Sequence, residues 1–378
     1  PSPNLPMKST TALRKIIASL GAMPFCDFMN LCLYHPEHGY YAQTPDQVGK
    51  SGDFFTSVSC GPVFGILLAE KIAHWWQTSE VTGPWRILEP GANNAALALD
   101  ILHHLRQHHP EAYRELQYIT LDPLPVPRAF QQKALSAFAK QAECLDKPDS
   151  LVPLPTFVIA NEVLDAFPCH LIELHDHCWQ EIWIESTDNG SRLTETLRPV
   201  NQPLPSILTE SAYPEGYRTE LRAAPTAFLH DMQKTMSRGR MLFLDYGFAE
   251  PEYYDKQRIK GTLRTYQHHQ ASEDVLTSPG EVDITAHVEF TSLVKCASQL
   301  GMKVAGFMPQ EFMLSRLVPE LLARDLWKPS WQQNFQTLVH PAHLGGKFHA
   351  LELSWREETA DDIISIRRLA IENTAEAT

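Results

Sequence analysis

The chain has 378 residues, of which 43% are hydrophobic and 20% charged, a composition typical of globular proteins with a large core. The formal net charge is −13 and the lysines and arginines form no cluster, which argues against a nucleic-acid partner and favours a basic protein segment. No apolar run is long enough to span a membrane, and the first residues lack the regions of a secretory signal. Seven cysteines without a CxxC pair indicate free thiols in a reducing compartment, so we predict a cytoplasmic location.

Residues 1–83 are predicted to form a helical extension followed by a long loop. Helical spacing covers most of residues 9–33, whereas residues 35–57 are rich in glycine, proline and aromatic side chains. A loop of this length inside a compact domain is usually functional. Its segment SGDFFTS contains Asp53 and Thr56, which either cap the following helix or serve a site, and the residues alone leave both interpretations open.

Short apolar strands alternate with helices over residues 84–170 and 224–356. This pattern predicts an α/β fold with a parallel sheet that is covered by helices on both faces. Residues 171–223 have strand-like alternation around a turn signal, TDNGS, and we predict that they form an inserted antiparallel β region. Residues 357–378 are predicted to form a helical tail.

The stretch ILEPGANNAALALDIL, residues 87–102, predicts a strand that enters a helix through a tight loop. The strand ends in Glu89, Gly91 can take a positive φ, and Asn93 tolerates the left-handed region where glycine is missing. Asp122, at the end of the next strand, is placed where an acidic side chain grips the ribose hydroxyls of an adenosine cofactor. These residues fit a cofactor loop and an ordinary strand-to-helix turn equally well.

A second polar group follows the buried strand TFVIANE. Asn161 and Glu162 come at the end of this strand, so we expect them at the same edge of the sheet as the cofactor loop. The alternative is that Asn161 caps a following helix, with Asp165 in its exposed first turn. For Glu162 we favour a role in a functional site. For Asp165 we leave both interpretations open.

Two other clusters are predicted to be structural. In HHLRQHH, residues 103–109, His104 and His108 share a helix face, but no carboxylate or cysteine at ligand spacing completes a metal site. We therefore predict a solvated helix end and no metal. In DITAHVEF, Asp283 and Thr285 precede an apolar helix, and we predict that they cap it.

Eight segments carry a resemblance to a known family. In chain order they are LYHPEHGYY, SGDFFTS, LEPGANNAAL, NEVLDAFPCHLI, LFLDYG, GTLRTYQHH, DITAHVEF and GGKFHALEL. Together, over about residues 13–355, they resemble the MidA family of S-adenosylmethionine-dependent methyltransferases. The resemblance implies a class I, Rossmann-like methyltransferase fold with an N-terminal helical extension and an inserted region. It also implies S-adenosyl-L-methionine as cofactor and a protein arginine as methyl acceptor, since mitochondrial members methylate an arginine of a respiratory complex I subunit.

The resemblance also implies roles for individual residues at the cofactor. Glu89 and Gly91 would line its methionine end, and Asp122 would hold its ribose. The SGDFFTS loop would close over it, which brings Asp53 and Thr56 near.

Five further residues complete the predicted cofactor site and acceptor site. Asn93 and Asn161 belong to the predicted cofactor-binding set. Glu162 would face the methyl acceptor, with Asp165 or Asp245 as a second carboxylate. A carboxylate there would orient the guanidinium through paired hydrogen bonds.

One departure from the family pattern leaves two functions open. The family has glycine at the positions of Gly91, Asn93 and Ala95, and this chain keeps only the first. The chain is therefore either a divergent enzyme or a catalytically inactive methyltransferase-fold protein that acts as an assembly or binding factor. Because the acidic residues remain, we favour the enzyme. Its predicted partners are a protein substrate, either a basic segment or a respiratory complex subunit, and a second copy of the chain bound through residues 171–223.

Overall fold

The computed structural model describes residues 9–43, 57–187, 190–222, 225–267, 270–272, 274–340, 344 and 348–371. Asp53 and Thr56 lie outside these ranges, so the roles predicted for them stay predictions. The chain divides into two compact units, each built from three segments. The first contains Pro1–Phe54, Asp165–Ala223 and Pro251–His287, and the second contains Phe55–Leu164, Ala224–Glu250 and Val288–Thr378.

The described helices are, in chain order, α1 Ser9–Leu20, α2 Phe25–Tyr34, α3 Val63–Thr78, α4 Ala96–His108, α5 Pro110–Arg114, α6 Pro125–Ala134, α7 Ser206–Glu210, α8 Thr226–Lys234, α9 Glu250–Tyr253, α10 Phe290–Gln299, α11 Gln310–Ala323, α12 Gln332–Val339 and α13 Ile363–Arg368. The described strands are β1 Met23–Pro24, β2 Trp85–Pro90, β3 Leu116–Leu121, β4 Ala142–Leu145, β5 Leu154–Asn161, β6 His170–His175, β7 Cys178–Thr187, β8 Arg192–Pro199, β9 Arg218–Leu221, β10 Met236–Phe248, β11 Arg264–Gln267, β12 Gln270–Ser272, β13 Asp283–Thr285, β14 Val288–Glu289, β15 Lys303–Pro309 and β16 Phe348–Trp355. Among the described residues, no helix combines the length and the apolar character needed to cross a bilayer.

The second unit is built around a mostly parallel sheet with the strand order β15-β16-β10-β5-β2-β3-β4. Strands β10, β5, β2, β3 and β4 are parallel to one another, and β16 pairs antiparallel with both β10 and β15. All six residues of β2 are buried, as expected of a central strand with both faces covered. The predicted α/β sheet is confirmed.

The strand order fixes where a ligand can bind in this unit. Strand β3 pairs with one edge of β2, and β5, which comes later in the chain, pairs with the other edge. Ligands of open α/β sheets bind at such a switch point, beyond the carboxyl ends of the strands. Pro90 and Asn161 end the two strands concerned, so the residues that follow them lie at the expected site.

The first unit contains two antiparallel sheets. In the larger sheet β6 pairs with β7 and β9, and β7 also pairs with β8 and β1. The β6–β7 hairpin turns through Asp176 and His177, which both have positive φ, 48° and 61°, the backbone that two-residue hairpin loops require. The described part of residues 171–223 therefore contains antiparallel strands, as predicted.

Two capping predictions were wrong. Asp283 and Thr285 lie in β13, which pairs antiparallel with β11, and Asp283 is buried and accepts a hydrogen bond from the Tyr41 hydroxyl at 2.8 Å. The cap of α10 is Glu289, whose carboxylate accepts the backbone N–H groups at the start of that helix. The capping motif in the sequence was thus placed four to six residues too early.

Candidate active site

The loop after β2 keeps the backbone of a glycine-rich turn. Gly91, Asn93 and Ala95 all have positive φ, with values of 67°, 46° and 60°. A Cβ on Gly91 would lie 3.2 Å from Val163 Cγ2, so this position has little room for a side chain. The left-handed region costs a non-glycine residue roughly 1 kcal/mol or more. Asn93 and Ala95 therefore strain the turn while they hold the left-handed backbone that glycine adopts most readily.

The Asp122 carboxylate lies beside this turn and is positioned by hydrogen bonds to both of its oxygens. Oδ1 accepts Leu124 N at 3.0 Å, and Oδ2 accepts Gln131 Nε2 at 3.1 Å. Gln131 Nε2 also lies 3.1 Å from the Asn93 carbonyl oxygen, and Gln131 Oε1 accepts the Thr120 hydroxyl at 2.8 Å. Burial raises the Asp122 pKa, while these hydrogen bonds act in the opposite direction. Each oxygen keeps a lone pair, so the carboxylate can accept two neighbouring hydroxyls.

Glu89 is buried at the end of β2, with 3% of its surface exposed. The Tyr118 hydroxyl donates to its Oε2 at 2.6 Å. Burial raises the pKa of Glu89 to about 7, and the hydrogen bond from Tyr118 opposes that rise. A nearby positive charge would therefore ionise this carboxyl group at neutral pH.

Asn161 and Glu162 meet at the end of β5. Glu162 N donates to the Leu244 carbonyl oxygen at 2.8 Å, and Asn161 Nδ2 donates to Glu162 Oε1 at 3.2 Å. Glu162 has a φ of 51°, and the Asn161 Oδ1 atom is buried without a hydrogen-bond donor among the described residues. Residues 162–169 are not helical, so the alternative in which Asn161 caps a helix was wrong.

Asp245 lies on the neighbouring strand β10 and is almost fully buried, with 1% of its surface exposed. Its Oδ2 accepts Leu164 N at 2.9 Å, and its Oδ1 accepts Tyr246 N at 2.9 Å. Asp245 therefore fixes the backbone that follows Glu162.

Asp165 belongs to the first unit, where it is buried. Its carbonyl oxygen accepts Ala286 N at 3.0 Å and Arg222 Nη2 at 2.9 Å. Burial raises the pKa of its carboxyl group to about 6, and the positive charge of Arg222 lowers it. The interpretation of Asp165 as an exposed residue of a helical first turn was wrong.

The prediction of a solvated helix end at residues 103–109 was wrong for His104. His104 is buried, and its Nε2 lies 2.5 Å from Oε1 of Glu70 on α3. His109 Nε2 lies 3.1 Å from the same oxygen. The carboxylate that contacts His104 is 34 residues away in the chain, so the spacing of residues around the histidines does not indicate it.

Tyr118 and Gln131 are site residues that the sequence analysis missed. Gln131 follows Pro127 by four positions on α6, and both are buried. A glutamine on the apolar face of an amphipathic helix was the available signal, because buried amides need partners. For Tyr118 the strand pattern gave no signal beyond burial.

Residues 67–308 match the model of a family described as "Putative S-adenosyl-L-methionine-dependent methyltransferase". The chain belongs to this family. It is also 30% identical to a Burkholderia thailandensis protein whose crystal structure contains S-adenosyl-homocysteine. The similarity covers 95% of this chain and 94% of that one, with a TM-score of 0.83.

Curated relatives extend the similarity to named enzymes. The chain is 26% identical to the "Protein arginine methyltransferase NDUFAF7 homolog, mitochondrial" of Drosophila melanogaster, over 90% of this chain and 83% of the relative. It is 27% identical to the "Protein arginine methyltransferase NDUFAF7, mitochondrial" of Rattus norvegicus, over 89% and 82%. The predicted family, class I fold, S-adenosyl-L-methionine cofactor and methyltransferase activity are confirmed.

The predicted cytoplasmic location is contradicted, because these relatives are named as mitochondrial proteins. The seven cysteines are free thiols, as expected of a reducing environment. Free thiols do not distinguish one reducing compartment from another, so cysteine usage could not support the narrower location.

Proposed function

We propose that this methyltransferase transfers the methyl group of S-adenosyl-L-methionine to an arginine of a protein substrate, at the switch point of the second unit. The observation that carries the proposal is Glu162, a glutamate with a left-handed backbone that follows the central strand β5. Strained backbone of this kind persists where the surrounding structure enforces it, and functional sites are a frequent location.

The residues at the end of β2 and β3 fit the cofactor. The Asp122 carboxylate can accept a ribose diol, and the buried Glu89 carboxyl group suits the cationic methionine end. Gly91 and Asn93 form the turn over which the cofactor would lie. Asn161 would complete this set through its buried Oδ1 atom. Asp53 and Thr56 are proposed to close over the cofactor from their loop.

The acceptor requires a different kind of assistance. The sulfonium supplies an electrophilic methyl group, so the protein has mainly to align acceptor, methyl and sulfur. A guanidinium is always protonated at neutral pH and is a poor nucleophile until a carboxylate orients it and localises its charge. Glu162 is proposed for this role. Asp165 and Asp245 are the two proposals for a second carboxylate, and the hydrogen bonds of Asp245 favour a positioning role for that residue.

An arginine in a basic protein segment is the proposed substrate class. The relatives named above are protein arginine methyltransferases, and the net charge of −13 suits a cationic partner. We propose a respiratory complex subunit as the first protein to test. A homodimer formed through residues 171–223 is a further proposal about the assembly.

Glu162→Gln tests the proposal directly. Loss of the carboxylate charge should lower turnover on arginine peptides by about a hundredfold or more, while cofactor binding is retained. Turnover is measured as transfer of a radiolabelled methyl group, with lysine peptides in parallel. Glu80→Gln is the matched control, because Glu80 is also a left-handed glutamate, with a φ of 49°, but is exposed at the end of α3.

Unchanged turnover in Glu162→Gln would remove Glu162 from the mechanism. Methylation of lysine instead of arginine would overturn the proposed acceptor while leaving the methyltransferase activity in place. If the wild-type chain bound the cofactor but methylated neither peptide set nor the respiratory complex subunit, the arginine assignment would fail. The alternative of an inactive assembly factor would then gain support.

A further inference from the structure

A cluster of ligand-type side chains lies in the second unit, away from the cofactor loop. Glu70 of α3, His104 of α4 and His109 just after α4 each direct one ligand atom to a common point, and these atoms lie within 4.8 Å of one another. His104 is two helical turns from the start of α4 at Ala96, roughly 12 Å along the helix axis. The methyl-transfer site uses none of the three side chains.

The geometry of the cluster is convergent. His104 Nε2 and His109 Nε2 lie 2.5 Å and 3.1 Å from the same atom, Glu70 Oε1. The side chains of Glu70, His104 and His109 are only 3%, 5% and 9% exposed. Two imidazoles and one carboxylate oxygen are a ligand set that zinc commonly takes, with water in the fourth position. Tetrahedral ligation would separate ligand atoms to about 3.3 Å, so each histidine nitrogen would need to move away from Glu70 Oε1 by less than about 1 Å.

The guanidinium of Arg324 provides a positive charge at this cluster. Arg324 directly follows the last residue of α11. Its Nη1 donates to Glu70 Oε2 at 2.7 Å and lies 3.3 Å from His109 Nε2. The Arg324 side chain is 33% exposed, so its guanidinium can leave toward solvent without breaking the core. A metal ion and this guanidinium would repel each other at such a distance.

We propose that Glu70, His104 and His109 form a binding site for a divalent transition metal of the zinc class, which the ion and the Arg324 guanidinium occupy in competition. The bound ion would join α3, α4 and the segment before α5 through three protein ligands and would keep water in its fourth position. The cluster is separated from the cofactor loop by about two turns of α4. The proposed ion therefore has no contact with the methyl acceptor in this proposal. The proposal is independent of the arginine acceptor.

Titration of untagged, chelator-treated full-length protein with zinc by calorimetry tests the site. One zinc ion should bind per chain with micromolar or tighter affinity, and His104→Gln and His109→Gln should each weaken it at least tenfold, as expected when a ligand is lost. His103→Gln is the control, because His103 is exposed on the same helix and packs on Phe138 instead. Arg324→Gln should tighten binding, since it removes the competing charge.

Cobalt(II) gives a second readout that reports geometry. Its visible absorption should be intense, as in tetrahedral sites, and should disappear on addition of zinc. The proposal is overturned if zinc does not bind saturably, if binding survives both histidine substitutions, or if Arg324→Gln weakens it. The Arg324→Gln variant tests the proposal even if the histidine variants fail to fold, because it changes a side chain that is 33% exposed.

Discussion

The cofactor turn after β2 has left-handed backbone at Gly91, Asn93 and Ala95. Asparagine visits this region more readily than other non-glycine residues, and alanine is the smallest side chain that retains a Cβ. The turn therefore survives in a sequence that lacks two of the expected glycines. The replacements add a side chain at Asn93 and a methyl group at Ala95, where glycine would have only a hydrogen atom.

Asn93→Gly should strengthen cofactor binding about fivefold, which corresponds to ~1 kcal/mol. The substitution removes both the backbone strain and the side chain beside the cofactor. Asp176→Gly is the matched control, because Asp176 is an exposed left-handed residue, with a φ of 48°, in the β6–β7 hairpin. Both variants should gain similar thermal stability, but only Asn93→Gly should change affinity by calorimetry. Equal affinities in the two variants would contradict this account of the turn.

Glu89 should make cofactor binding depend on pH. Burial raises its pKa to about 7 in the free protein, so the carboxyl group is protonated below that pH and ionised above it. A cationic cofactor favours the ionised form. Affinity should therefore fall as pH drops from 7 to 5, by up to about tenfold per pH unit. Titrations of the wild type and Glu89→Gln would show a flat profile in the variant, and a flat profile in the wild type would contradict the assignment.

At the scale of elements, the Gln131 side chain joins α6 both to the cofactor loop and to β3. Gln131 is completely buried and contacts the Asn93 carbonyl, the Asp122 carboxylate and the Thr120 hydroxyl. A comparable contact joins β10 to the segment after β5, through the Asp245 carboxylate. The site residues are thus held by neighbouring elements as well as by their own strands.

Gln131→Met should lower the free energy of unfolding by about 1–3 kcal/mol, because it leaves buried polar groups without a partner. It should also weaken cofactor binding, since Asp122 loses one of the two hydrogen bonds that position it. Gln132→Met is the control, because the next residue of the same helix is exposed. Urea unfolding and calorimetry check the two effects. Equal stability of the two variants would mean that α6 does not support the loop.

For the whole molecule, the features that could be predicted from the sequence are those that depend on residues close together in the chain. The apolar strands, the turn after Glu89 and the antiparallel region at 171–223 all follow from periodicity or from turn residues, and the structure contains them. Two of the wrong predictions, those for Asp283 and His104, depended on residues distant in the chain. Asp283 is buried against Tyr41 from a segment 242 residues away, and His104 finds Glu70 on another helix. Spacing within a short window contains no information about such partners.

The central claim is that this chain binds S-adenosyl-L-methionine at the ends of β2 and β3 despite its glycine-poor loop. Calorimetric titration of the purified protein tests that claim most directly. The account predicts micromolar binding that is lost in Asp122→Ala, because that variant lacks the carboxylate proposed to hold the ribose. Absence of binding at millimolar cofactor, or binding of equal strength in Asp122→Ala, would contradict it.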